Sequence, residues 1–323
     1  MKRAFFIVGP TATGKSEIAA EIAHQLNAEI ISADAFQIYR GLDLLTAQPE
    51  KTALEKAPHY LLGVVPVSEE MNAGKFRIAA GEAIRDIYAR GKHAIVVGGS
   101  GLYLKALTHG LSQLPAADPK LRTELNALSL DELRGKLIDL DAEAARKIDL
   151  KNRRRVMRAL EIRLVTGKPV LAQRTAWAAA APLCEARREQ TMTRGDASHS
   201  EAATDGVFVF RKRTELYERI DRRVEKMFAE GVVEEVRALR DLGPTAEKAL
   251  GLREIRALLA GEMSERECIA KTQQATRRYA KRQLTWFEHQ DNFTALNLSS
   301  HGSLEAIELI AQNARLAFAQ RDD

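Results

Sequence analysis

Short apolar runs alternate with helical periodicities in the first third of the chain. A continuous apolar run that ends at Gly-Pro or at paired glycines is typical of a buried strand, whereas apolar residues three and four positions apart indicate a helix. The resulting prediction is strands at 4–8, 29–32, 60–65 and 94–97 and helices at 15–26 and 76–90. Strands and helices that alternate with short joints are the pattern of a parallel sheet covered by helices.

The pattern changes after Leu114, where two prolines interrupt the chain. Residues 120–175 predict helices only, and 178–205 are rich in alanine and small polar residues, which indicates a loose connection. Strand and helix signals then return: a strand at 206–210 and helices at 215–230, 232–242 and 264–289. We therefore predict an α/β parallel sheet core (1–115), a mostly helical insertion (116–200) and a helical C-terminal part that completes the core (201–323).

Composition excludes several classes of protein. The 323 residues are 45% hydrophobic and 29% charged, as in an ordinary globular protein. Cys184 and Cys268 can form neither a disulfide framework nor a metal site of recognised spacing, so a reducing cytoplasm is expected. No apolar run approaches the roughly 18 residues that a membrane span needs, and the N-terminal apolar stretch is too short for a signal peptide.

Positive charge is clustered rather than spread. The net charge is +5, a mild excess, but basic residues concentrate at 153–158, 211–223 and 271–282. Such clusters are either solvated helix faces or the electrostatic footprint of phosphate or nucleic acid. Three of them in one chain favour the second interpretation.

The strongest chemical motif follows the first strand. It consists of Gly9, Pro10, Thr11, Ala12, Thr13, Gly14, Lys15 and Ser16, which match G-x-x-x-x-G-K-[ST] between a strand and a helix. Glycines let successive backbone N–H groups point at an anion, and the following helix adds its positive end. Lys15 can reach terminal phosphate oxygens, and the Ser16 hydroxyl suits a phosphate-bound Mg²⁺. The motif predicts that the α/β core is P-loop NTPase-like and that it holds a phosphate site. Any diphosphate with magnesium would satisfy this site.

Two further segments follow strands and are expected beside this loop. Asp34 stands where the second strand ends, where it could hold a magnesium-bound water, act as a base or simply cap the next turn. Gln37 offers an amide for a base edge. The glycine loop that includes Ser100 either allows tight packing or brings backbone and hydroxyl close to a ligand, and we expect both glycine loops to converge on one crevice.

Six segments together carry a family resemblance. They are GPTATGKS, SADAFQIYRGLDLLTAQP, VGGSGLYLKAL, ELYERIDRRVEKM, KALGLREI and TRRYAKRQLTWF. In this order they resemble the tRNA dimethylallyltransferases, over about residues 5 to 290, and the last run is far more selective than the phosphate loop.

The resemblance implies a reaction and its partners. The dimethylallyl group of dimethylallyl diphosphate is transferred to the exocyclic amine of adenine at tRNA position 37, next to the anticodon. Magnesium assists and diphosphate leaves. ATP is not hydrolysed, although such proteins are often described as ATP-binding or nucleotide-binding. The implied enzyme is a cytoplasmic monomer that binds the tRNA anticodon stem-loop and no membrane.

The resemblance also implies roles for individual residues. Asp34 is the base that orients the amine, and Lys15, Ser100 and Arg223 act on the reacting diphosphate, which residues 9–16 bind. The implied tRNA contacts are Asp34, Ala35, Phe36, Gln37, Gly101, Thr123, Arg154, Arg155, Val156, Met157, Arg158, Lys248, Gly251, Arg253, Arg278 and Arg282.

The sequence departs from the family pattern at two positions and leaves rival functions open. Asp34 is followed by Ala35 where the family has serine, and Ser100 replaces threonine. Trp286 and Phe287 are expected in the core rather than on RNA. A P-loop kinase, an isopentenyltransferase acting on free adenine nucleotides and a non-enzymatic RNA-binding protein remain the alternatives.

Overall fold

Six parallel strands form one sheet in the order β3-β2-β4-β1-β5-β6. The computed structural model describes residues 4–111, 114–115, 118–174 and 206–319. The strands are β1 (Phe5–Val8), β2 (Ala28–Ala33), β3 (His59–Tyr60), β4 (His93–Gly98), β5 (Gly206–Phe210) and β6 (Phe293–Asn297). The predicted α/β class with a parallel sheet is confirmed.

The centre of the sheet is buried on both faces, which explains its uninterrupted apolar runs. All four residues of β1 and all six of β2 are buried. The register pairs Val8 with Gly98 on β4 and with Phe208 on β5. Because β1, β2 and β4 run in the same direction, their carboxyl ends emerge at one edge of the sheet, where ligands of such sheets bind.

Helices cover both faces of this sheet. The helices of this unit are α1 (Lys15–Gln25), α2 (Lys51–Leu54), α3 (Ala73–Ala89), α4 (Gly101–Thr108), α10 (Arg213–Ala229), α11 (Val232–Ala238), α12 (Leu252–Leu259), α13 (Glu265–Phe287) and α14 (Ser303–Ala319). On one face α1 and α14 pack against the strands through Ile18, Ile22, Ile310 and Phe318.

The structure differs from the sequence prediction in a few elements of this unit. The strand expected at 60–65 ends at Tyr60, because Leu61 and Gly63 adopt φ angles of 60° and 61°, which turn the chain away from the sheet. The predictions missed the edge strand β6, whose five residues pair with β5, and the helix α14 that follows. The strand at 206–210 is confirmed.

The helical segment forms a unit of its own. Contacts divide the chain into Met1–Thr108 with Leu183–Asp323, and His109–Pro182. In the described part of the second unit the predicted all-helical character is confirmed. Its helices are α5 (Pro119–Ala127), α6 (Leu130–Leu140), α7 (Ala142–Lys147), α8 (Arg153–Thr166) and α9 (Val170–Arg174). The loose connection predicted at 178–205 lies outside the described residues.

A buried ion cluster braces the helical unit. The Glu161 carboxylate is 1% exposed and accepts from Arg122 Nε at 2.7 Å and from Arg158 Nη1 at 3.0 Å. The apolar core of the same unit includes Leu133, Leu137 and Leu160. In neither unit is a described helix both long and apolar enough to cross a bilayer.

Candidate active site

A cleft of about 950 Å³ opens in the sheet unit where β1, β2 and β4 end. Its lining includes Lys15 and Ser16 from the phosphate loop, Asp34 from the end of β2, and Arg223 from α10. The topology of a parallel sheet therefore brings four of the residues singled out in the sequence to one cavity.

The backbone of the phosphate loop needs its glycines. A Cβ at Gly9 would lie 2.1 Å from the carbonyl oxygen of Val209 on β5, so only glycine lets the loop pass this strand. Gly14 has a φ of 92° where α1 begins, a left-handed conformation that other residues adopt at a cost. The buried Thr13 donates its hydroxyl to Pro10 O at 3.0 Å and closes the loop on itself.

Arginines around the start of α10 hold the loop from its carbonyl side. Arg211 Nε donates to Thr13 O and Arg219 Nε to Ala12 O, each at 2.8 Å. One turn further, Arg223 Nη2 donates to Thr11 Oγ1 at 2.8 Å. Arg211 and Arg219 thus support the phosphate loop, and the sequence interpretation did not single them out; their only signal was membership of the basic cluster 211–223.

Positive charge in the cleft is poorly solvated. Burial is the main cause that lowers the pKa of Lys15 to about 8; the Arg223 charge lowers it further, and Asp34 opposes both. Burial likewise lowers the pKa of Arg223. The Nε of Arg223 has no hydrogen-bond partner within the described part of the chain. Two desolvated cations beside a phosphate loop favour a multivalent anion as ligand.

The two oxygens of the Asp34 carboxylate have different roles, since one is bonded to the backbone of its own loop and the other is not. Oδ1 accepts from Phe36 N at 2.9 Å and from Gln37 N at 3.3 Å, so the capping interpretation holds for this oxygen. Oδ2 makes no hydrogen bond to any described residue. The side chain is thus oriented by its own loop while one oxygen can still accept a proton or contact a metal-bound water.

Gln37 braces the Asp34 loop. Its Nε2 donates to Thr46 O at 3.3 Å and to Ala47 O at 2.9 Å, and its Oε1 accepts from Ser32 Oγ at 3.2 Å. Both amide protons are engaged within the protein, which leaves only one lone pair of Oε1 for the predicted contact with a base edge.

Ser100 also supports the Asp34 loop. Ser100 is 8% exposed, and its hydroxyl oxygen accepts a hydrogen bond from Ala35 N at 2.9 Å. Tyr279 of α13 also lies within hydrogen-bonding reach of Ser100, and burial first, then the charge of Asp34, raises the pKa of this tyrosine. Ser100 is absent from the cleft lining; the observed role is to anchor the backbone beside Asp34.

Gln283 of α13 joins the two glycine loops, and the sequence interpretation missed it. Its Oε1 accepts from Thr11 N and its Nε2 donates to Gly99 O, both at 2.9 Å. Gly9 N also donates to Gly98 O at 3.2 Å. The predicted convergence of the two loops is therefore confirmed. The available signal was the position of Gln283 inside the selective run TRRYAKRQLTWF.

Trp286 and Phe287 occupy different environments. Phe287 is 1% exposed and stacks on Phe208 at 5.1 Å between ring centroids, so its predicted core position is confirmed. Trp286 is half-buried over Gly101, where a Cβ would lie 2.6 Å from the indole Cδ2. The predicted RNA contact Gly101 is thus also a packing position.

The family model described as IPP transferase matches residues 37–290. The chain belongs to the IPP transferase family. A tRNA dimethylallyltransferase of Akkermansia muciniphila is 41% identical over 302 residues, which cover 94% of this chain and 96% of the relative. One from Caulobacter sp. strain K31 is 40% identical and covers 92% and 94%.

Solved structures of IPP transferases share the fold. The full-length tRNA isopentenylpyrophosphate transferase of Bacillus halodurans aligns with a TM-score of 0.68 at 31% identity, over 100% of this chain and 98% of that one. A eukaryotic dimethylallyltransferase described as acting on tRNA aligns with a TM-score of 0.74 at 26% identity, over 99% and 79%. The resemblance carried by the six sequence segments is thereby confirmed.

The basic residues predicted to contact tRNA from the sheet unit of this IPP transferase have mixed surroundings. Arg278 and Arg282 are exposed on α13, and the Arg282 guanidinium lies 5.6 Å from the ring of Tyr279. Arg253 has a side chain 91% exposed. Gly251 begins α12 with a φ of 87°. Lys248 ends the preceding 3₁₀ turn, Ala246–Lys248.

In the helical unit of the IPP transferase the predicted contacts separate into surface and core. Thr123, Arg154 and Arg155 are exposed. Val156 is fully buried and Met157 is 8% exposed, so the side chains of these two residues pack in the core, and their contact with tRNA stays a prediction. The helical period turns both inward to the core of this unit.

Arg158 is committed to its own unit. In addition to the Glu161 pair it donates Nη2 to Pro115 O at 2.7 Å. Of the predicted 154–158 stretch, only the first two side chains are therefore presented freely to solvent.

Proposed function

We propose that this IPP transferase transfers the dimethylallyl group of dimethylallyl diphosphate to the exocyclic amine of adenine at tRNA position 37. The observation that carries the proposal is the single cleft that holds a phosphate loop, two desolvated cations and the strand-end carboxylate of Asp34. The proposed prenyl donor and tRNA acceptor are inferred from relatives that are named tRNA dimethylallyltransferases.

The cations of the cleft act on the leaving group. The C1–O bond to diphosphate breaks as the C1–N bond to adenine forms, and negative charge accumulates on the departing oxygens. Lys15, Arg223 and the loop N–H groups stabilise that charge most strongly where water is scarce, as the depressed pKa of Lys15 indicates. The Ser100 hydroxyl accepts from Ala35 N and so holds the backbone next to Asp34 in place.

Mg²⁺ fits the same site. The protein donor available is the Ser16 hydroxyl in the cleft lining, and the described residues contain no cluster of three or more His, Cys, Asp or Glu. Few protein oxygens, completed by phosphate and water, are typical of magnesium rather than of zinc or calcium. When bound, the ion would neutralise part of the diphosphate charge.

Asp34 acts on the nucleophile. The exocyclic amine of adenine donates its lone pair into the ring and is therefore weakly nucleophilic. Asp34 Oδ2 accepts one of the two amine protons and aims the nitrogen at C1, while Oδ1 remains bonded to Phe36 N and Gln37 N. The proton lost on substitution passes to this carboxylate.

The tRNA must present an unstacked base, which single-stranded loops allow. We assign the grip on the anticodon stem-loop backbone to exposed arginines of both units: Arg154 and Arg155 on α8, Arg253 on α12, and Arg278 and Arg282 on α13. We expect the enzyme to act as a cytoplasmic monomer.

The deciding experiment offers labelled dimethylallyl diphosphate with tRNA, AMP or ATP. Label on tRNA alone supports the proposal. Label on AMP or ATP would indicate an enzyme of free nucleotides, and ATP turnover without prenyl transfer would indicate a kinase. tRNA binding with no reaction at all would indicate a non-enzymatic RNA-binding protein.

Asp34→Asn tests the role of the carboxylate. The amide keeps an oxygen for Phe36 N and Gln37 N but cannot take a proton, so we expect kcat to fall by at least about 100-fold with tRNA affinity nearly unchanged. Asp131→Asn, at a carboxylate on α6 whose side chain is 87% exposed, is the matched control and should keep wild-type turnover. Near-normal turnover in Asp34→Asn would remove Asp34 from its role.

A further inference from the structure

A carboxylate distant in sequence caps the turn beside the active site. Glu235 lies on α11, half-buried, and its Oε2 accepts from Leu44 N at 2.8 Å while its Oε1 accepts from Leu45 N at 2.9 Å. Both oxygens are therefore bonded to consecutive backbone N–H groups about 190 residues away. No motif in the sequence pointed to this side chain.

The segment that Glu235 caps is one compact helical turn, residues 42–48. Thr46 N donates to Leu42 O at 3.1 Å and Ala47 N to Leu44 O at 2.9 Å. The first N–H groups of such a turn have no partner within it, and a side-chain carboxylate is the usual cap. Residues of this turn, Leu44 and Thr46 among them, line the cleft.

The other end of the turn holds Gln37. The carbonyls of Thr46 and Ala47 accept from Gln37 Nε2, and Gln48 Nε2 donates to Gln37 O at 3.1 Å. The backbone N–H of Gln37 in turn donates to Asp34 Oδ1. A continuous series of hydrogen bonds therefore runs from Glu235 through the turn to Asp34.

We propose that Glu235 is a positioning residue for the prenyl-transfer step: by capping the turn 42–48 it fixes Gln37, and through Gln37 it fixes the carboxylate of Asp34. This inference rests on the proposed function. It predicts that loss of the cap lowers kcat, because Asp34 acts in the chemical step, and leaves the substrate affinities nearly unchanged.

The pKa of the Glu235 carboxyl is raised, so the two N–H bonds hold its anion against the cost of burial. Burial raises the pKa of this carboxyl and the nearby Asp43 charge adds to the rise, whereas the bonds from the Leu44 and Leu45 N–H groups lower it. Glutamine has almost the same shape, but its NH₂ group would face one of the two N–H donors. Glu235→Gln therefore keeps one of the two cap bonds and places its NH₂ group against the other N–H donor, without emptying the space.

The matched control is Glu234→Gln. Glu234 precedes Glu235 on the same helix, but its side chain is 66% exposed and pairs only at the surface with Arg237. For Glu235→Gln we expect kcat to fall at least about tenfold with each KM within about twofold of wild type, and for Glu234→Gln no change in either. A rise in KM for dimethylallyl diphosphate at unchanged kcat would assign Glu235 to the cleft wall and overturn the inference.

Hydrogen exchange tests the coupling independently of catalysis. In Glu235→Gln the amides of 44–48 and also those of 35–37 should exchange faster than in wild type and in Glu234→Gln. Faster exchange confined to 44–48 would show that the disturbance does not reach the Asp34 loop, against the proposal. If the wild-type enzyme proves inactive with tRNA, the proposed function fails while this measurement still decides the coupling.

A double-mutant cycle completes the test. If Glu235 acts through Gln37, then adding Glu235→Gln to Gln37→Ala should lower kcat little beyond Gln37→Ala alone. Fully multiplicative losses would mean that the two residues act separately, and the proposed path through Gln37 would be wrong.

Discussion

The charge of Lys15 makes donor binding depend on pH in an unusual range. The pKa of this amine falls from 10.5 to about 8, chiefly through burial. A shift of this size corresponds to about 3 kcal/mol of disfavoured charge. The diphosphate of the donor offsets this penalty, because a multivalent anion in contact with the amine raises the pKa of Lys15 again. Below pH 8 the free enzyme already carries the proton; above it, binding must take up a proton.

The expected effect follows from this linkage. With a bound-state pKa far above that of the free enzyme, the Kd for dimethylallyl diphosphate rises about tenfold between pH 7 and pH 9. Stability changes in the opposite direction: burying the charged amine costs free energy below pH 8, and the cost disappears as pH rises from 8 toward 10.5. The unliganded fold therefore gains stability from this group over the range in which it loses donor affinity.

Equilibrium dialysis with labelled donor measures the affinity, and Lys15→Arg is the control. The arginine keeps a positive charge that does not titrate in this range, so its Kd should stay flat from pH 7 to pH 9. A flat wild-type profile would refute the reasoning, as would an equal rise in the arginine variant.

Three further predictions concern stability and catalysis. Glu29 is 1% exposed, and hydrogen bonds from Arg90, Lys92 and Tyr60 hold its pKa at about 2. Glu29→Gln should lower the free energy of unfolding by about 3 kcal/mol near neutral pH, measured with denaturant. The stabilisation by the Glu29 charge should fade as pH falls from about 4.5 toward 2. As a control, Glu21 pairs with Lys56 at the surface, and Glu21→Gln should change stability by less than about 1 kcal/mol. Gly101→Val should cost at least about 2 kcal/mol through its clash with Trp286, whereas Gly135→Ala in α6, where a Cβ meets nothing within 4 Å, should stabilise by about 0.5 kcal/mol in thermal melts. Arg223→Lys keeps the charge but loses the guanidinium bond to Thr11 Oγ1; kcat should fall about tenfold or more, and an unchanged kcat would remove the guanidinium from the chemical step.

Local signals in the sequence were sufficient for several elements. The phosphate loop depends on backbone conformations that glycine makes accessible, so its spacing between a strand and a helix identified it directly. The long helix α13 was predicted at 264–289 and observed at Glu265–Phe287, with Ser264 and Glu267 forming a capping box. The central strands were evident as continuous apolar runs because helices cover both faces of the sheet.

The same periodicity contained information that the motif interpretation overrode. Val156 and Leu160 are one helical turn apart and both fully buried. Their spacing alone predicts an inward face, whereas the family resemblance placed Val156 and Met157 among the expected RNA contacts. A basic stretch on an amphipathic helix also has an apolar face. Whether a residue of the stretch faces the core or the solvent depends on its angular position around the helix axis.

By itself, the sequence determined the fold class, the phosphate loop and the family, because each depends on residues that are close together or in a fixed order. Only the tertiary structure decided which distant side chains complete the site. Gln283 reaches Thr11 across 272 residues, Arg219 reaches Ala12 across 207, and Glu235 reaches Leu44 across 191. Such hydrogen bonds depend on how helices dock on the sheet, and the local pattern of polar and apolar residues does not specify which polar side chain a packed helix directs toward a backbone group.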